Sequence, residues 1–146
     1  ELNLMTQFVL SKTAVQHMLN QGSGCIINLS SVLGLVGGND LFATHAYAAT
    51  KGAIIGFSRA MATYYAPYKI RVNVIAPGLI ETPMSQRAQN SDIVMDYMKE
   101  KQPIYAHKNK LGNPYAVASA ALYLASEHAD FVTGVVLPID GGWTAQ

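Results

Sequence analysis

Tyr47 and Lys51 stand four residues apart in Tyr47-Ala48-Ala49-Thr50-Lys51, at the start of an alanine-rich stretch. On a helix, residues i and i+4 share a face, so the lysine ammonium lies beside the phenol. Ionising an isolated tyrosine (pKa near ~10) at neutral pH costs about 4 kcal/mol. A cation at ~4 Å, in an effective dielectric near ~20, contributes roughly that much. The pair is therefore suited to giving and taking a proton in carbonyl chemistry at neutral pH. Taken alone, the same spacing also describes an exposed lysine beside a half-buried aromatic. The surrounding residues decide.

Sixteen residues before Tyr47 stands Ser31, at the end of Cys25-Ile26-Ile27-Asn28-Leu29-Ser30-Ser31. Residues 25–29 are apolar and β-rich, and Gly22-Ser23-Gly24 punctuates their start, as in a buried strand of a parallel sheet. Ser30 and Ser31 then fall at the strand's C-terminal end, where open α/β sheets place their ligands. A second strand over 70–76 stops at Pro77-Gly78 and leads into Leu79-Ile80-Glu81-Thr82-Pro83-Met84. A third, over about 134–139, stops at Asp140-Gly141-Gly142. Helical stretches at 2–19, 46–66 and 115–125 are long enough for crossovers between parallel strands. On helix 46–66, Tyr47, Lys51, Ile54, Ile55 and Ser58 form the side toward cleft and sheet. Gly52 and Gly56 leave a groove for close helix packing. Residues 82–103, with Met84, Arg87, Met95, Tyr97 and Met98, read as a lid or as two space-filling surface helices.

With these elements in place, the chain resembles the C-terminal part of a short-chain dehydrogenase/reductase, of the type with a single Rossmann-like domain. The match rests on Asn3 in Leu2-Asn3-Leu4, Ser31 in Leu29-Ser30-Ser31, the Tyr47/Lys51 pair and Asn73 in Arg71-Val72-Asn73. It continues through Pro77-Gly78 with Thr82 and ends at Asp140-Gly141-Gly142, in the family's order. The resemblance implies an α/β fold, part of a doubly wound parallel sheet, and hydride transfer between NAD or NADP and a secondary alcohol or ketone. Tyr47 is then the general acid/base, and Lys51 favours the phenolate and bonds the nicotinamide ribose. Ser31 hydrogen-bonds the reacting carbonyl oxygen where charge develops. Asn3 holds a water that links Lys51 to solvent. Pro77 and Gly78 let the backbone pass close to the nicotinamide, and Ile80 and Thr82 bind its carboxamide. A homotetramer or dimer is implied as well, through helices 2–19 and 46–66 and through a second interface at 115–125 and 135–143.

Each of these residues also has a plainer role open to it. Ser31 suits the cap of a turn, Thr82 a turn before Pro83, and Asn3 a polar helix face. Asn73 and Asp140-Gly141-Gly142 are expected to be structural. The serine-to-tyrosine spacing is a few residues longer than the family's commonest form, with the extra length in residues 37–44, which should reshape the wall of the substrate pocket. A non-catalytic family member serving as scaffold is the first alternative. A nucleotide-sugar epimerase or dehydratase is the second, disfavoured by the short stretch after Gly142. A related reductase class with wider tyrosine-to-lysine spacing is set aside by the spacing of four.

The family's pyrophosphate-binding turn is a glycine-rich loop that opens a helix. Neither Gly22/Gly24 nor Gly37/Gly38 builds one, and the residue that selects NAD or NADP is missing too. Residues 1–146 are expected to be the back half of one domain whose front half lies outside this sequence. Three parallel strands alone leave an apolar edge open, so that front half is expected to cover it. The 146 residues by themselves are expected to be inactive.

Half the residues are hydrophobic and 13% are charged, as suits a sheet covered on both faces. A net charge of +1 without a basic run gives nucleic-acid binding no support. No apolar stretch approaches the ~20 residues of a membrane span. The single cysteine, Cys25, fits a reducing cytoplasm. His17, His45, His107 and His128 lack metal-ligand spacing, so no metal site is expected. His45, two residues before Tyr47, is the histidine placed to reach substrate. Substrate identity is not fixed by such a fold.

Overall fold

The computed structural model describes residues 2–146. Strands β1 (Gly24–Leu29), β2 (Ile70–Pro77) and β3 (Val136–Ile139) form one parallel sheet in the order β1-β2-β3. Helix α1 (Leu2–Gln21) precedes β1, and α2 (His45–Tyr65) crosses from β1 to β2. A longer excursion joins β2 to β3 through α3 (Gln86–Gln89), α4 (Asp92–Lys101) and α5 (Pro114–Ala125).

The central strand carries the core. Ile70, Val72, Val74, Ile75 and Ala76 are buried because β2 is covered on both faces, the condition that makes a parallel strand a continuous apolar run. Successive side chains leave opposite faces. Ile26 and Val72 therefore pack with Val15, Met61 and Ala62 of α1 and α2. Cys25 and Arg71 face the other way and donate to the Leu124 carbonyl at the end of α5. Asn73, fully buried in this apolar run, donates to the Val132 carbonyl at 2.8 Å and accepts from the Val135 N–H at 3.1 Å. It stitches the segment entering β3 to the sheet, which is the structural role its place suggested.

β3 begins at Val136, two residues later than the apolar run suggests. Gly134 has φ +76°, a left-handed backbone outside strand geometry, although its N–H already bonds the Val72 carbonyl at 2.8 Å. After β3 the Asp140 carboxylate accepts from the Gly142 N–H and from the Thr144 N–H and hydroxyl, closing the tight turn expected there. Among the described residues no strand pairs with the outer edge of β1.

The segment 82–103 divides into buried and exposed parts. Met98 of α4 is 2% exposed and packs with Val32, Leu111 and Trp143, with Tyr97 and Met95 against the same cluster. Met84, by contrast, is 96% exposed. α4 is anchored through Met98, while Met84 after Thr82 and Ile93 at the start of α4 leave apolar surface free.

Candidate active site

The site forms where β1 and β2 end. Beyond Leu29 the Ser30 N–H bonds the Ile75 carbonyl at 2.8 Å, and the Ser30 hydroxyl donates to the Lys51 carbonyl at 2.8 Å. Ser31 is extended, and its hydroxyl oxygen accepts from the Leu33 N–H at 3.2 Å, capping the short turn Val32–Gly34. The capping role is thus real, and it leaves the hydroxyl proton free to donate elsewhere. That turn nests on α2. A Cβ on Gly34 would lie 2.8 Å from the Lys51 carbonyl carbon and 2.9 Å from the Gly52 nitrogen, so only glycine fits.

Tyr47 sits in the first turn of α2 and is 40% exposed. Lys51, one turn later, holds its Nζ 5.5 Å from the Tyr47 ring centroid and donates to the Leu29 carbonyl at 3.0 Å. Partial burial pulls the lysine's pKa below its ordinary range. The Leu29 carbonyl also accepts from Gln7 Nε2 at 3.0 Å. Asn3 lies exposed in the first turn of α1 and is not among the residues that line the cleft. Gln7, one turn on, makes the contact beside Lys51. A lone glutamine in a helix carries no motif, and only its i+4 spacing from Asn3 could have drawn attention to it.

From β2 the chain runs through Pro77 and Gly78 into a loop held by backbone and hydroxyl bonds. The Thr82 N–H bonds Ser85 Oγ at 3.1 Å, and that hydroxyl donates to the Ile80 carbonyl at 2.6 Å. Gly78 is needed behind the loop: a Cβ there would meet Gln102 Oε1 at 2.6 Å and the Asp140 Cα at 3.0 Å. Ser31, Tyr47, Pro77, Gly78, Ile80 and Thr82 line one cleft of about 560 Å³, with Met84 and Val117 among its apolar walls. That volume suits a small organic ligand. His45 opens α2, is exposed, and is not among the cleft's lining residues. Among the described residues no three His, Cys, Asp or Glu side chains gather as a metal site, and no helix is long and apolar enough to cross a membrane.

A family model described as enoyl-(acyl carrier protein) reductase matches residues 1–144. The chain belongs to the short-chain dehydrogenase/reductase family. Cis-4-hydroxycyclohexanecarboxylate dehydrogenase of Sinomonas cyclohexanicum is 39% identical over 145 residues, covering 99% of this chain and 55% of that protein. Among solved short-chain dehydrogenases, 4-hydroxyisoleucine dehydrogenase complexed with NADH superposes with TM-score 0.89 at 35% identity, over 99% of this chain and 57% of that one. Gluconate 5-dehydrogenase from Burkholderia cenocepacia J2315, in complex with NADP and tartrate, gives TM-score 0.89 at 33% identity, over 99% and 54%. The chain thus spans a little over half the length of the relatives it matches, and these Rossmann-fold neighbours establish its α/β fold.

Proposed function

We propose that the full-length protein is an NAD(P)-dependent oxidoreductase that interconverts a secondary alcohol and a ketone. The observation that carries this reading is the single cleft walled by Ser31, Tyr47 and the loop 77–82, with Lys51 one helical turn behind the tyrosine. The nicotinamide end of a dinucleotide fits that cleft. Pro77, Gly78, Ile80 and Thr82 offer one wall, Tyr47 lines the same cleft, and the Lys51 cation stands behind the tyrosine on the Leu29 carbonyl. Lys51 bonds a main-chain carbonyl, a partner that ribose hydroxyls can replace. No pyrophosphate-binding turn occurs in the sequence, so turnover is proposed for the longer protein and not for these residues alone.

When bound, the reduced nicotinamide supplies the hydride and its oxidised form receives it. The protein's own groups handle the oxygen. Ser31 donates a hydrogen bond to the carbonyl oxygen and holds it where negative charge grows. Tyr47 delivers its phenolic proton to that oxygen in reduction and removes the hydroxyl proton in oxidation. Lys51 stabilises the phenolate and returns a proton to it, and Asn3 supports the relay to solvent through a water. Ile80, Pro83, Met84 and Val117 give the cleft apolar walls, suited to a compact alicyclic alcohol of the kind the Sinomonas relative's name describes.

Assembly as a homotetramer or dimer belongs to the same proposal. Leu2, Met5, Phe8 and Val9 of α1 are exposed, and a groove of about 430 Å³ between α1 and α2 is lined by Leu4, Met5, Phe8, Ala53 and Phe57. Exposed apolar surface of this extent marks an interaction face. A cytoplasmic setting is proposed from the single free cysteine. The test of activity is oxidation of alicyclic secondary alcohols by the full-length protein with NAD or NADP, followed by nicotinamide absorbance. Turnover with one cofactor is expected. Failure with both, across alcohols and the matching ketones, contradicts the reading.

A further inference from the structure

We propose that Gln102 is the positioning residue of the cofactor loop, the side chain that fixes Leu79 and through it the register of Ile80 and Thr82. The proposal rests on the oxidoreductase reading only for what the loop binds. Gln102 caps the end of α4 and is 5% exposed. Its Oε1 accepts from the Leu79 N–H at 2.6 Å, and its Nε2 donates to the Leu79 carbonyl at 3.1 Å. One side-chain amide thus satisfies both backbone groups of a residue that has just left the sheet, as a neighbouring strand would.

The socket around it is built from glycine. A Cβ on Gly78 would stand 2.6 Å from Gln102 Oε1, and one on Gly141 would stand 3.2 Å from Gln102 Cβ. Gly78 follows β2 and Gly141 follows β3, so both strand ends leave room for the same side chain. Leu79 and Ile80 are held from two other places: Gly112, whose N–H bonds the Leu79 carbonyl and which bridges to Ile80, and Ser85, whose hydroxyl donates to the Ile80 carbonyl. The backbone of α4 anchors Gln102 in turn, through its N–H on the Met98 carbonyl at 2.7 Å, and Met98 is core. The Leu79 side chain packs on the same Met98 cluster, and its backbone N–H and carbonyl are both held by one neutral amide. Only a group that both donates and accepts fits there.

That requirement gives the test. In the full-length protein, Gln102→Leu removes both bonds without removing bulk. Gln102→Glu keeps both only while protonated, because an ionised carboxylate would face the Leu79 carbonyl. Two quantities are measured for wild type and both variants: amide hydrogen exchange without cofactor, and the dissociation constants of NADH and NADPH at about pH 5.5 and about pH 8. Gln102→Leu is expected to speed exchange at residues 79–82 while leaving β2 protected, and to weaken cofactor about tenfold or more at both pH values. Gln102→Glu is expected to bind like wild type at the lower pH and like Gln102→Leu at the higher. Unchanged exchange at 79–82, wild-type affinity in Gln102→Leu, or a Gln102→Glu affinity with wild-type pH dependence overturns the proposal. If the wild type binds neither dinucleotide, the oxidoreductase reading falls. The exchange result then decides alone whether Gln102 holds the loop.

Discussion

The two strand ends that meet at the cleft are held in different ways. At the end of β1, Ser30 and the Val32–Gly34 turn lie directly on the backbone of α2 at Lys51 and Gly52. The serine, the tyrosine and the lysine are thereby fixed within one strand–turn–helix unit. At the end of β2, the loop 77–82 hangs on side chains and turns from further along the chain: Ser85, Gln102 and Gly112. The groups proposed to keep a bond-length register with a reacting oxygen sit on the first kind of support. The loop proposed to admit and release the dinucleotide sits on the second.

Two glycine substitutions in the full-length protein test that contrast. Gly34→Ala carries the largest expected effect, because its new Cβ would press on backbone of α2 that has no rotamer by which to yield. A loss of about 1–3 kcal/mol in urea unfolding is expected, with turnover falling because Lys51 is displaced. Stability and turnover both at wild-type level would show that the turn is not seated on α2. Gly78→Ala is expected to cost less stability, since its nearest neighbour is the end of the Gln102 side chain. Its damage should appear as weakened cofactor binding. If Gly78→Ala destabilises more than Gly34→Ala, the contrast is reversed.

The smallest expected effect on stability is that of Lys51→Met. Partial burial places the folded-state pKa of Lys51 below its unfolded value. Between those two values the unfolded chain binds more protons, so this group makes stability rise with pH. Lys51→Met should therefore keep the fold, flatten the rise in stability just below the ordinary lysine pKa, and still lose turnover. An unchanged slope in unfolding experiments would mean that Lys51 is not held in a desolvated place.

The difference between the two ends also explains what could be read from the chain. The first end was legible because a strand, two serines and a tyrosine–lysine pair at helical spacing are local patterns with local causes. The second end was legible only as Pro77-Gly78 and Thr82. Gln102 is a single glutamine before a proline, and its meaning depends on Gly78 and Gly141 approaching it in space. Gln7 is hidden for the same reason, since its link to Lys51 runs through the Leu29 carbonyl. Met98 shows an alternative that the sequence left open. Its segment suits a lid or a space-filling helix alike, and packing on Trp143, at the far end of the chain, makes Met98 core. Gly134 displaced the start of β3 because the run of apolar residues does not reveal a left-handed backbone.

Tyr47 is the residue proposed to move the proton in this cleft. Replacing it with phenylalanine in the full-length protein, and measuring turnover together with cofactor affinity, tests that claim most directly. Turnover is expected to fall by about 10²–10⁴-fold, with cofactor binding retained because Lys51 and the loop 77–82 remain in place. Turnover close to that of the wild type would contradict the account.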